Sequence, residues 1–159
     1  MKSLSRVRGG HKARIQGSQF ENILEIQCRM QGIHPTKIKT FARFLAQQRK
    51  WIPEKAPFDF ILTHETGVAF IDCKTIKTNS FKKTQGQMDI IKRHQEMELL
   101  AIEEKKHKAG FLVWFRNANA IVFFPASVMV KIHPNDPITP AMGEYLGTYE
   151  SFALGNLFI

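Results

Sequence analysis

Residues 56–75, APFDFILTHETGVAFIDCKT, constrain what this chain can fold into more than any other stretch. Two apolar runs flank HETG, whose glycine suits a tight turn, so the pattern predicts strands over 57–63 and 68–75. A hairpin this apolar belongs in a core. Yet Asp59 sits on its first strand, and Asp72 and Lys74 sit near the end of its second. Burying a charge is costly unless it is paired or binds a metal. Side chains alternate along a strand, so Asp72 and Lys74 share a face with Val68 and Phe70, while Ala69, Ile71 and Cys73 fill the other. Asp59 is expected across the hairpin from Asp72 or near it.

Two carboxylates ~4 Å apart repel by about 4 kcal/mol at the effective dielectric near a protein surface. A divalent cation between them turns that repulsion into attraction. Mg²⁺ suits the pattern, because it takes oxygen ligands from one or two carboxylates and completes its shell with water and phosphate. Lys74 cannot be a ligand while protonated, but it can hold a water for attack or neutralise charge growing on a phosphate. Metal and ammonium together suit phosphodiester hydrolysis. The structural alternative is an exposed Asp72–Lys74 pair on a strand edge, since a D-x-K tripeptide alone is common.

The charge balance narrows the partner. The net charge is +9, but residues 134–159 hold no Lys or Arg and three acids, Asp136, Glu144 and Glu150. The first 133 residues therefore carry 23 basic and 11 acidic side chains, or +12. Such an excess favours a polyanion, with nucleic acid first. At 159 residues and 43% hydrophobic content, the chain is sized for one domain with a real core. No apolar run approaches the ~18 residues of a membrane span, and the basic start MKSLSRVRGG lacks the apolar core of a signal peptide. A cytoplasmic protein without a membrane partner is expected. Cys28 and Cys73 read as buried free thiols, and the six scattered histidines suggest no zinc site.

Residues 1–16 carry five Lys/Arg, His11 and no acid, which predicts a flexible basic arm. A helix is expected from Ser18, where Ser18 and Glu21 fit a capping box and Phe20, Ile23, Leu24 and Cys28 follow at helical spacing. Residues 37–52, KIKTFARFLAQQRKWI, fit either a helix or a basic aromatic hairpin. Residues 76–85 read as a short third strand plus a loop, 87–106 as a helix, and 110–115 and 120–126 as strands around an NAN turn. The proline-punctuated stretch 134–159 reads as a C-terminal tail, a loop followed by weak structure. This order gives an α/β arrangement, a mixed sheet flanked by helices.

The segment FDFILTHETGVAFIDCKT resembles the PD-(D/E)xK nuclease motif. The match extends to the RecU-type Holliday junction resolvases of Gram-positive bacteria and their phages. It is carried by GSQFENIL in the first helix, HPT before the middle segment, Asp59 and IDCKTIKTNSF, and RHQ followed by GFLVWF and IVFFPA. It spans roughly residues 17 to 132. The resemblance implies a restriction-endonuclease-like α/β fold with an αβββαβ core, placing a nuclease domain over 17–133. It implies Mg²⁺-dependent nicking, with Mn²⁺ as a possible substitute, of paired strands in a four-way DNA junction by a homodimer. No small-molecule cofactor is implied.

By position, Asp59 and Asp72 resemble the family's metal-binding carboxylates, Lys74 its catalytic lysine, and Glu21 the acid that completes the site. Gln95 resembles a helix glutamine near the active site. Glu21 has the capping box as an alternative role, and Gln95 has exposure to solvent. Arg6, Arg8, Lys12 and Arg14 of the arm, with Lys37, Lys39, Lys50, Lys82 and Lys83, are expected to hold phosphates. Thr75 and Lys77 are further candidates, with a solvated loop as the alternative. The middle segment, 36–57, looks shorter than the family's basic stalk, which bears on junction specificity. Asp72 stands where Glu is more frequent. Two rivals remain: another DNA nuclease of the same core, and a nucleic-acid-binding module without chemistry.

Overall fold

The computed structural model describes residues 4–39, 41–54 and 56–158. Its framework is a seven-stranded sheet. Strand β1 is His34–Lys37, and β2 (Phe41–Leu45) and β3 (Lys50–Glu54) form a separate hairpin. The charged hairpin is β4 (Phe60–His64) and β5 (Gly67–Ile76). A small hairpin follows, β6 (Thr84–Gln85) with β7 (Met88–Asp89). Strands β8 (Lys108–Phe115), β9 (Ala120–Pro125), β10 (Glu144–Thr148) and β11 (Ser151–Phe152) complete the set. The sheet order is β1-β4-β5-β8-β9-β10-β11. Strands β5 and β8 run parallel and every other neighbouring pair runs antiparallel. A parallel pair needs a crossover, which helix α2 (Arg93–Glu104) supplies.

Both faces of the sheet are covered, which explains why β8 and β9 read as nearly unbroken apolar runs. Helix α1 (Leu4–Met30) lays Phe20, Leu24 and Cys28 on one face, against Ile71, Leu112 and Phe123. On the other face α2, with the short helix α3 (Ala126–Met129), buries Leu99 and Met129 against Phe111, Val113 and Phe124. Gly110 lets β9 come close, since a Cβ there would collide with the Phe124 carbonyl oxygen. Cys28 and Cys73 are free thiols, and burial pushes the Cys28 thiol up to about 12. Among the described residues no helix is long and apolar enough to cross a membrane.

Four sequence expectations are corrected. Helix α1 begins at Leu4, so residues 4–16, expected as a flexible arm, are continuous with it; residues 1–3 lie outside the described residues. Lys12, Ala13, Arg14 and Gln16 are good helix formers, and a helix can propagate through them without an apolar stripe. Ser18 is thus an exposed interior position and caps nothing, which removes the capping-box role for Glu21. Helix α2 starts at Arg93 rather than 87, because residues 84–89 turn back as β6–β7 around Gly86, whose φ of +62° suits glycine.

The C-terminal stretch is the fourth correction. Strands β10 and β11 extend the sheet, and Leu146, Phe152, Leu154 and Leu157 join the α1-side core. The Gln31 side chain clamps this segment, donating to the Phe152 carbonyl and accepting from the Leu154 N–H, each at 2.8 Å. Of the two readings of 37–52, the hairpin is the one found, with Phe41 opposite Glu54 and Leu45 opposite Lys50.

Candidate functional site

Strand β5 pairs with β4 as far as Phe60 opposite Ile71, and Asp59 directly precedes that last pair. The Asp59 N–H still donates to the Ile71 carbonyl at 3.0 Å, but the next rung is made by a side chain. Asp59 Oδ2 accepts the Cys73 N–H at 2.8 Å. The carboxylate therefore completes the ladder where the β4 backbone departs, which fixes its position. Asp72 and Lys74 project to the α2 side, as the alternation on β5 requires, while Ala69, Ile71 and Cys73 pack toward α1.

Asp72 is 1% exposed. Its Oδ1 accepts from Gln95 Nε2 at 2.9 Å, and its Oδ2 lies 2.8 Å from Lys74 Nζ. Oδ2 has no well-aligned hydrogen-bond donor among the described residues. Lys74 Nζ in turn donates to Gln95 Oε1 at 3.2 Å. Gln95 thus uses both ends of its amide to hold the acid and the ammonium together, and it is buried rather than facing solvent. It comes from the first turn of α2.

Burial pushes the Asp72 carboxyl up to about 7; the Lys74 charge opposes this, and the negative charges of Asp59 and Glu21 add to it. Burial also raises Asp59, offset by the Cys73 N–H and reinforced by Glu21. The three acids therefore feel one another. Glu21 does not join the two aspartates directly, because its carboxylate pairs with Lys37 at the end of β1. That contact raises the Lys37 ammonium above its ordinary range. Among the described residues no three His, Cys, Asp or Glu side chains gather closely enough to hold a metal by themselves. The expected trio of Asp59, Asp72 and Glu21 is thus not closed. Two hard carboxylates that destabilise each other's charge remain a donor set that fits Mg²⁺, which needs only one or two.

The expected phosphate contacts scatter more widely. Arg6, Arg8, Lys12 and Arg14 lie along the first half of α1. Lys39, Lys50, Lys77 and Lys82 are exposed, and Lys37 is exposed but engaged by Glu21. Thr75 is half-buried, and its hydroxyl finds no hydrogen-bond partner among the described residues. Lys83 is a correction. It is 5% exposed and ion-paired with Glu96, so its charge is spent inside the protein. Sequence reasoning missed this pair, since Glu96 looks like any other acid on a polar helix. Its one signal is that Glu96 directly follows Gln95 on the turn that faces the sheet.

The chain matches no model of a known protein family and no curated protein. Among solved structures it is similar to Hjc, a Holliday junction resolvase from the archaeal hyperthermophile Archaeoglobus fulgidus. The superposition has a TM-score of 0.56 at 15% identity and covers 81% of this chain and 95% of that one. That likeness, with the mixed sheet covered by helices on both faces, establishes the architecture expected from the sequence: this chain has the restriction-endonuclease-like α/β fold.

Proposed function

We propose that this protein is a metal-dependent, structure-selective DNA endonuclease that resolves four-way junctions, in the manner of the RecU-type enzymes. The observation that carries the reading is the joint hold of Gln95 on Asp72 and Lys74, beside Asp59, at the end of the β4–β5 hairpin. A buried acid and a half-buried ammonium locked by one amide are costly as pure structure. They make sense where a phosphate must be received. The Hjc likeness supports the junction as substrate.

Asp59 and Asp72 would hold a divalent ion, Mg²⁺ or Mn²⁺, which when bound supplies Lewis acidity toward a phosphate oxygen. Lys74, steered by Gln95, positions the attacking water and offsets charge growing on the phosphate. Water adds its oxygen to phosphorus as the bond to the 3′ oxygen breaks. The proton leaves with that oxygen, giving a 5′-phosphate and a 3′-hydroxyl. The exposed lysines supply sequence-independent affinity. Paired nicks in a two-fold junction call for a symmetric homodimer working in the cytoplasm.

The test is cleavage of a labelled four-way junction beside linear duplex and flap substrates, with Mg²⁺ or Mn²⁺. Preferential paired nicking of the junction is expected. Equal cutting of all three would point to another nuclease of the same fold. Lys74→Ala should bind the junction and lose cleavage by about two to three orders of magnitude; normal cutting by that variant overturns the assignment.

A further inference from the structure

A groove of about 510 Å³ opens directly off Lys74. Its floor is the C-terminal part of β5, and its far wall is the β6–β7 hairpin. Lys77 and Lys92 line it together with Lys74, so three lysines contribute to its wall, the Lys74 ammonium being engaged by Asp72 and Gln95. Asp89 also lines the groove, but its Oδ1 is occupied by the Thr84 hydroxyl at 2.9 Å, a bond that ties β6 to β7. The balance is cationic, as an anionic chain requires.

The hairpin is a fixed lip. At its base the Ile90 and Ile91 N–H groups both donate to the Lys83 carbonyl, at 2.8 and 3.2 Å. The Lys83 ammonium is in turn buried against Glu96, one residue from Gln95 on α2. One turn of helix therefore sets both the lip and the catalytic amide. Residues 85–89 stand out in solvent, and Met88 on the lip is 69% exposed while lining the groove. At that exposure the Met88 thioether leaves most of its apolar surface open beside a cationic groove. Its chemistry suits the face or edge of a nucleobase. Apolar side chains, methionine included, act as wedges beside separated base steps, and such contact is tolerant of sequence.

We propose that this groove receives the nucleotide next to the scissile phosphate and that Met88 packs against its base. The proposal rests on the DNA-cleavage reading above and sharpens it. The preferred substrate has an unstacked base at the cut, as a branch point offers, because separating a stacked step costs free energy. Met88 is then a positioning residue for the substrate rather than a catalytic one.

The experiment measures junction Kd in Ca²⁺ and cleavage in Mg²⁺ for the wild type, Met88→Ala and Met88→Leu. Each is tested with an abasic site stepped through the nucleotides around the branch. One abasic position should weaken the wild type by about three- to tenfold. The same position should leave Met88→Ala unaffected, and Met88→Leu should regain the sensitivity. In an active enzyme that position must adjoin the cut bond. Equal sensitivity of all three proteins at every position overturns the groove assignment while leaving the nuclease reading intact. A wild type that binds but never cuts overturns the nuclease reading; the groove assignment then stands or falls on whether one position loses its effect on Kd in Met88→Ala. A protein that binds no DNA overturns both.

Discussion

Asp72 shows what burial does to a carboxylate held between a lysine and an amide. Its ordinary value is 3.8 and burial brings it to about 7. The folded state therefore holds this proton more tightly than the unfolded chain. Stability from this group is complete below the lower value and is lost as pH rises through about 7. In chelator, denaturant melts should show the protein weaker at pH 8 than at pH 5, and Asp72→Asn should flatten that dependence. On the proposed role of Asp72 as a metal ligand, a metal takes the ionised acid, so Mg²⁺ should stabilise the wild type increasingly as pH rises, and Asp72→Asn little. Gln95 offers a second test at this scale. Gln95→Leu removes the donor to Asp72 and the acceptor from Lys74 together. Its kcat should fall about 10- to 100-fold, as for partners that orient active groups, while junction Kd stays close to that of the wild type. A loss of binding as large as the loss of turnover would make Gln95 a structural residue only.

At the scale of elements, the Lys83–Glu96 pair joins the loop after β5 to α2 with both side chains nearly out of water, at 6% and 12% exposure. Lys83→Met strands Glu96 as a buried charge and should cost about 3–5 kcal/mol in urea denaturation. Adding Glu96→Leu should recover much of that loss, because the stranded charge goes with it. The longer, strongly apolar hairpins β4–β5 and β8–β9 were legible beforehand. The β4–β5 hairpin announces its register through the alternation of Ala69, Ile71 and Cys73 with Phe70, Asp72 and Lys74. The aspartate–lysine site was legible with it, because alternation alone puts those charges on one face. Gln95 entered through resemblance, since nothing in the spacing of a helix residue says which strand it will meet. The segment 37–52 fits two periods at once, so only its long-range setting decides for β2–β3. The length of α1 was hidden because residues 4–16 lack the apolar stripe by which a helix is recognised.

For the molecule as a whole, the C-terminal stretch is a layer of the structure rather than an appendage. Tyr149 stacks on Trp114 with ring centroids 4.3 Å apart, and Leu154 and Leu157 are fully buried. Its strands were obscured because EYLGT and SF are too short and mixed to signal pairing, and their burial comes from packing on α1. A chain ending at residue 133 should lose cooperative unfolding, seen as a broad thermal transition with raised binding of a hydrophobic dye. Retention of a sharp transition would show the acidic stretch to be dispensable for folding. The two rims of the sheet carry a separate consequence. The Ile38 N–H points inward to the Asp59 carbonyl at 2.8 Å, so by alternation the outward side of β1 falls to Pro35 and Lys37, and only Lys37 has an N–H to offer there. The opposite rim, β11, is only two residues long. A proline and a lysine on one border and a two-residue strand on the other both disfavour pairing with a strand from a neighbouring molecule. Subunits that associate are therefore steered to meet broadside, through helices or protruding loops, rather than by extending the seven-stranded sheet into an open-ended β-ribbon.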